Sequence, residues 1–379
     1  MRRRAIILSF LVLYGFSCKE PFVVDTEVVE GKFLVVEGYI NTGPGTTTIK
    51  LSRTGPVNSQ QEPPMENGAI VTVEDENATQ YVLNEGGNGI YSADLDLPTK
   101  GAYRIHIYTT DGKQYLSDLQ ASVFTPPIDS LTWKYSKEGV DILLSTHDPS
   151  NATRYYQFDY EETWEIHAFY SSQFKYQGKR LVQRTTEESQ AMYLCWKSST
   201  PPDLMLHSTA RQASDITTEF PLVFIPMSTE RLAIMYSILV KQHALSKTTY
   251  QYLQLMKKNT GPLGSFSDPQ PSELNGNIRC TTTDELVVGY VGVSTTSQTR
   301  IFIYQYQLPD WNYSLFCEQF FTLNHPDTLA KYLTSGVEIP TTPAEFGPNG
   351  EIVQVFRARE LCVDCRNIGG HNVRPEFWD

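Results

Sequence analysis

The 379-residue chain lacks the signatures of the common catalytic classes. Its seven histidines are scattered and form no HExxH pattern of a zinc protease. No serine sits in the GxSxG setting of a nucleophile elbow, Ser237 included. His147, beside Asp148, and His243 are the acid–base candidates, but neither has a paired carboxylate in a defined context, and ordinary surface or core histidines account for both. Phosphate-cradling glycine loops are missing too: Glu85-Gly86-Gly87-Asn88-Gly89 has a strand pattern on either side and reads as a hairpin turn. Basic residues are scarce, 31 Lys and Arg against 43 Asp and Glu, for a net charge of −12. Nucleic-acid binding needs cations to neutralise phosphates, so that partner class is excluded. These absences leave a non-enzymatic reading, with no cofactor and no metal expected.

No apolar run reaches the ~20 residues of a membrane-spanning helix. What is present begins with the first eighteen residues. Arg2, Arg3 and Arg4 precede an apolar run, residues 5–16, broken only by Ser9. Twelve helical residues cover about 18 Å at ~1.5 Å each, against a bilayer core of ~30 Å. The pattern is that of an export signal. Gly15-Phe16-Ser17-Cys18 then resembles a lipobox, without the leucine usual three places before the cysteine. Lipidation at Cys18 is the expectation, and acyl chains there would hold the protein to a membrane. A soluble secreted product cut nearby is the alternative. Without the leader, 28 basic residues face 43 acidic ones; that charge reads as solubility. Residues 19–31 read as a tether.

Five further cysteines follow: Cys195, Cys280, Cys317, Cys362 and Cys365. Disulfides are the default in an exported protein, and an odd count leaves one thiol over. Cys362-Val363-Asp364-Cys365 has three readings. A redox centre needs a helix N-terminus to activate the first thiol, and no such unit is legible nearby. A zinc site could recruit Cys317 and His371, but the paired ligand spacings are missing. Structural disulfides, in a pairing the spacing does not reveal, are preferred.

The rest reads as mainly β. The chain is rich in Tyr (22) and Phe (18), residues that favour sheets. Period-two stretches at 32–40, 46–53, 69–74, 80–83, 89–95, 102–109 and 113–118 imply seven short strands with turns about every ten residues. Asp111-Gly112 marks one hairpin. The expectation is an immunoglobulin- or fibronectin-like β-sandwich at 32–124, a stiff linker at 125–130, and a larger β-rich domain at 131–379 with a cysteine-containing C-terminal tail. Within the second domain, 231–243 reads as a strand, 285–293 and 300–306 as a hairpin, and the tail from Pro309 as irregular apart from a strand at 352–357. One short helix is expected after Ser246, a cap residue. Tyr250, Leu253 and Met256 share its face, and Gly261-Pro262 stops it. Tyr155, Tyr156, Phe158, Tyr160, Trp164 and Phe169 form either a sugar-stacking or partner-binding strip or, by preference, sandwich core. Alternation puts Tyr155 opposite Tyr156, Phe158 and Tyr160. Ser130 and Thr328 stand in Asp-Ser-Leu and Asp-Thr-Leu, similar to an O-glycosylation motif.

Several stretches together carry a family resemblance: 34–40 (LVVEGYI), 127–131 (PIDSL), 194–196 (LCW), 236–245 (YSILVKQHAL), 268–271 (DPQP) with 276–278 (GNI), and an ending of 362–366 (CVDCR), 369–370 (GG) and 375–378 (PEFW). With them the chain resembles the Bacteroidota outer-membrane lipoproteins of domain of unknown function 4249. The resemblance implies a lipid-anchored protein at the cell surface, commonly encoded beside a TonB-dependent receptor, with no established reaction. It points to an accessory or binding subunit for nutrient uptake. The alternative is a stand-alone glycan- or ligand-binding, adhesive module.

Overall fold

A computed structural model describes residues 33–55, 62–201, 204–260 and 275–378. The leader, Cys18, the tether at 19–31 and the 268–271 stretch lie outside the described residues. None of the helices in the described residues is long and apolar enough to cross a membrane.

The seven strands expected at the N-terminus form, as Leu34–Asn41, Thr46–Arg53, Ile70–Asp75, Gln80–Gly87, Ile90–Asp94, Ala102–Tyr108 and Gln114–Ser117. Alternation drives the layering. Along Ala102–Tyr108 every second side chain is buried: Tyr103, Ile105 and Ile107. Gln80–Gly87 joins the two sheets. Its first half pairs with Ile70–Asp75 and its second half with Ile90–Asp94. Leu34, Val36, Ile49 and Leu51 from one sheet meet Val71, Val73, Ile105 and Tyr115 from the other in one core. The Asp-Gly hairpin is also there, but only Gly112 is left-handed. The turn is closed by the Gly112 amide donating to the Thr109 carbonyl, 3.0 Å.

This sandwich is not contiguous in sequence. Val287–Gly289 and Gly292–Ser294 pair in parallel with Leu34–Asn41, and Ile278–Cys280 pairs with Gln114–Ser117. Residues 278–294, read from sequence as part of the second domain and partly as a hairpin with 300–306, thus complete the first. Glu285 carries the lock: Arg53 donates to it at 2.8 Å and Lys113 pairs with it. Gly289 has φ +146°, and a Cβ there would collide with the Val36 carbonyl oxygen. Gly289→Ala should therefore destabilise by roughly 2 kcal/mol or more, the clash and the strained backbone outweighing the up to ~1 kcal/mol that alanine gains by restricting the unfolded chain. A urea midpoint measures it; an unchanged midpoint would place this strand elsewhere.

The second sandwich faces Ile216–Pro226, Gly139–His147 and Ile128–Tyr135 against a sheet of Leu194–Ser199, Tyr155–His167, Met235–Ala244 and Thr296–Tyr304. Ile142, Leu144, Tyr156, Phe158, Tyr236, Ile238 and Val240 fill the space between. The stretch read as a strand at 231–243 is a central strand from Met235 to Ala244, preceded by a 3-10 turn at Glu230–Leu232, and Tyr156 and Phe158 are core. Tyr155 points the other way, onto Tyr250 of the helix Lys247–Thr260, with ring centroids 4.8 Å apart. That helix starts where expected: the Ser246 hydroxyl accepts from the Thr249 amide at 3.1 Å.

The stretch at 125–130 is not a free spacer. Thr125 is buried, its amide donates to Thr295 Oγ1 at 2.8 Å, and its hydroxyl accepts from the Ala244 amide at 2.9 Å; Ile128 already begins a strand. A polar relay also crosses the junction. Tyr39 donates to Gln157, Gln157 donates to Asp159 at 3.0 Å, and His243 Nε2 lies 3.4 Å from Asp159. Tyr39 and His243 stack with ring centroids 4.6 Å apart. Burial works to raise the Asp159 carboxyl, but His243 and Gln157 outweigh it and hold it below the usual aspartate value. With the folded pKa below the unfolded one, this support is present above the ordinary aspartate range and is lost as pH falls through the folded value, below pH ~4. Asp159→Asn should remove that part of the acid transition, read by near-UV circular dichroism.

The tail is more ordered than its pattern suggests. Gln319–Leu323, Ile352–Arg359 and Glu338–Phe346 form an antiparallel sheet. It is backed by the helix Pro326–Leu333 and the hairpin Phe174–Gln177/Arg180–Gln183, around Phe174, Leu329, Leu333 and Val355. Four α-helices occur among the described residues, where the sequence reading expected one; the others are Thr186–Tyr193, Pro326–Leu333 and the single turn Glu360–Val363. Proline at the first turn and Asp327 beside it start the helix Pro326–Leu333.

Candidate functional site

The cysteines organise the C-terminal part. Cys195, in the strand Leu194–Ser199, bonds Cys365, and Cys317 bonds Cys362, with Cα separations of 5.9 and 5.8 Å. The two cysteines of the CxxC therefore do not bond each other: Cys365 ties the tail to the strand Leu194–Ser199, and Cys362 is bridged to Cys317 within the tail. This removes the thiolates that a zinc site with His371 would need. His371 instead exchanges two backbone hydrogen bonds with Trp196, both 2.8 Å. Trp378 closes the ending: it is buried against Trp196 and Phe302, and its indole donates to Glu165 at 3.2 Å. Among the described residues Cys280 is the free cysteine, half-buried. Burial works to raise its thiol, but hydrogen bonds from Thr282 and Thr283 outweigh it and lower it.

Around the Cys317–Cys362 bridge lies an uncovered apolar face. Phe316 is 90% exposed, with Phe320, Leu361 and Phe169 also open to solvent; Phe321, next to Phe320 on the same strand and 65% exposed, points to the opposite face of the sheet. Two shallow cavities share Leu315 at its centre. One, about 280 Å3, is lined by Phe316, Cys317, Phe320, Leu361 and Ile368; the other, about 200 Å3, by Ala168, Phe169, Ile234 and Tyr313. The face is held rigidly. Tyr170 donates its amide to the Cys362 carbonyl at 2.9 Å and its hydroxyl to the Cys317 carbonyl at 3.1 Å. The Arg357 guanidinium lies over the rings of Phe320 and Tyr332. Gln319–Leu323 is the edge strand of its sheet, so backbone donors and acceptors run beside these rings. Clustered exposed aromatics of this kind mark interaction surfaces in soluble domains. Glu318 and Arg359 are the charged side chains at the rim of the larger cavity.

The other candidates fall apart spatially. His147 is exposed and paired with Asp129 at 2.7 Å; the hydrogen bond raises its pKa. His243 belongs to the junction relay. Ser237 is buried and accepts from Arg300 at 2.9 Å. Ser130 is half-buried in the strand Ile128–Tyr135 and Thr328 half-buried in the helix Pro326–Leu333, both in regular structure rather than open loops. No group of three or more His, Cys, Asp or Glu among the described residues could hold a metal ion. Sequence reasoning missed Phe316, Phe320 and Phe321. One signal was available: adjacent phenylalanines on a strand cannot both face inward.

The fold and this surface can be set beside known proteins. Residues 19–300 match the family described as domain of unknown function (DUF4249), and the chain belongs to that family. The match stops short of the cysteine-containing ending. Among curated proteins, nothing matches. Solved structures include a two-domain fibronectin type-III segment of chicken tenascin, 11% identical, covering 56% of this chain and 90% of that one, with a TM-score of 0.17. A Bacteroides uniformis protein provisionally described as carbohydrate-binding is 9% identical over the same shares, with a TM-score of 0.17. Likeness at these scores supports no argument about function.

Proposed function

We propose that this is a lipid-anchored outer-membrane protein, not an enzyme, that serves as a binding subunit of a TonB-dependent receptor. Cys18 is the anchor, and the apolar face around Phe316 docks the receptor. The observation that carries the reading is that cluster of exposed aromatic side chains, fixed by a disulfide and bordered by an open strand edge. Burying such a patch is the main driving force of association. Fourteen residues lie between Cys18 and Phe33, a reach of at most about 50 Å, so an anchored protein stays within range of a membrane-embedded partner. The test is affinity purification of the full-length protein from detergent-solubilised outer membrane. A TonB-dependent receptor should co-purify in stoichiometric amount, and a preparation free of one contradicts the reading. Mass spectrometry of the same sample should show acyl chains on an amino-terminal Cys18.

A further inference from the structure

The three-stranded sheet of the C-terminal part has two edges, and they are treated differently. Glu338–Phe346 is protected. It carries Pro340 and Pro343, its register shifts around both, and its Thr341 carbonyl accepts from the Gln173 amide at 2.8 Å. Prolines, irregular register and cover are what keep a sheet edge from pairing further. Gln319–Leu323 has none of these: it holds no proline, no charged residue and no register shift. Among the described residues its one strand partner is Ile352–Arg359. The helix Pro326–Leu333 touches both outer strands, so it lies across the back of the sheet and leaves this edge open.

The bonding phase of the open strand is fixed by its end. The Asn324 amide donates to the Val353 carbonyl at 2.8 Å, so the backbone groups of Phe320, Thr322 and Asn324 turn inward, to Ile352–Arg359. Those of Gln319, Phe321 and Leu323 turn outward. The outward run stops at the same distance on either side of Phe321. On one side the Cys317 carbonyl accepts from the Tyr170 hydroxyl at 3.1 Å; on the other the His325 carbonyl accepts from the Leu329 amide at 2.9 Å. The side chains of Phe321 and Leu323 are 65% and 51% exposed, on the face opposite Phe320. Phe321 stands directly across from Phe356, so the two rings share that face.

An open run centred on an outward-bonding residue is complementary to itself after a half-turn. When Phe321 faces the second copy's Phe321, Gln319 faces Leu323, and in every facing pair the backbone groups of both residues point across the seam. The rings of Phe356 and Phe321 then continue into those of the second copy as one cross-strand row. Charge does not oppose the pairing, although the chain carries a net −12. The strand is uncharged, and at its end Glu318 comes opposite Asn324 rather than another Glu318. We infer that Gln319–Leu323 pairs antiparallel with the same strand of a second copy of this chain, joining two three-stranded sheets across a twofold axis at Phe321. The seam uses the strand edge and the face away from Phe320, so it goes beyond the receptor reading and does not rest on it.

The test is size-exclusion chromatography with multi-angle light scattering on the full-length protein in detergent, which reports the protein mass within the micelle. One strand pair is a small interface, so the protein should dimerise with a dissociation constant of about 10 µM. Phe321→Lys and Phe321→Glu each set like charges against each other on the axis and should each weaken the dimer at least about tenfold. Neither should lower the melting temperature, because the ring is exposed and its loss opens no cavity. Mixed in equal amounts, the two variants should restore the dimer, since a lysine then faces a glutamate; a variant that merely fails to fold is not rescued in this way. The inference is overturned by a protein still monomeric at about 100 µM, by a dimer that neither substitution weakens, or by a mixture no more associated than its components. Loss of the receptor from Phe321→Lys without any change in mass would also overturn it, by giving the edge to the receptor.

Discussion

Replacing Cys195 and Cys365 together by serine should lower the stability of the folded chain by about 4–5 kcal/mol, a melting-temperature drop of roughly 10 °C. The bridge spans 170 residues of sequence. In the chain-entropy description the freedom that a cross-link removes from the unfolded chain grows with the logarithm of the loop it closes, which puts this bridge near the top of the usual range. The local consequences follow from what the bridge holds. Without it, the ending is tied down by two backbone hydrogen bonds between His371 and Trp196, the hydrogen bond from Trp378 to Glu165, the Arg300 guanidinium over the Phe377 ring and one aromatic cluster. Limited proteolysis should then clip the chain after residue 365 before the sandwiches are cut. Cys280→Ser is the control: that cysteine bridges nothing and its removal should leave the melting temperature within about 1 °C. Differential scanning calorimetry of the three proteins decides it. Equal melting temperatures would mean that the tail is held without the bridge.

The second large effect concerns the apolar face. Phe316→Asp should leave stability unchanged, because the ring is 90% exposed and its loss opens no cavity. Receptor recovery should nevertheless fall by about thirtyfold or more, the cost of removing an aromatic hot spot of ~2 kcal/mol and placing a charge in a desolvated contact. Phe320→Ser should act in the same direction and also lose the contact with Arg357. Ile70→Asp, on the far sandwich and 60% exposed, is the matched control. It places the same charge on an exposed apolar side chain and should have no effect. Quantitative co-purification across the three variants reads the result. Equal loss in Phe316→Asp and Ile70→Asp, with none in Phe320→Ser, would reduce the effect to net charge.

Much of the β architecture was legible in local pattern, and the reasons are local. Ala102–Tyr108 alternates cleanly because one face is core, Gly112 marks its turn because the backbone there is left-handed, and Ser246 marks a helix start because bare amides need an acceptor. The helix Thr186–Tyr193 carries an equally local sign, the Thr185–Glu188 capping box, although strands flank it on both sides. Other features had no local sign. The parallel pairing of Val287–Gly289 with Leu34–Asn41 joins residues some 250 positions apart, and no hairpin turn announces it. Disulfide partners share this property: four cysteines of a CxxC-containing set admit several pairings, and only the fold brings Cys195 beside Cys365. The apolar face stayed hidden for a third reason. A hydrophobic residue in sequence reads as core by default, so Phe316 and Phe321 are recognised as outliers only when their exposure is seen.

The most direct test of the central claim is site-specific photo-crosslinking in living cells, with a photoreactive phenylalanine analogue in place of Phe316 and, separately, of Ile70. The expected result is a crosslink from position 316 to a TonB-dependent receptor, identified by mass spectrometry, and none from position 70. A protein crosslinked to the receptor from position 70 and not from 316, or free of the receptor at both, would contradict it.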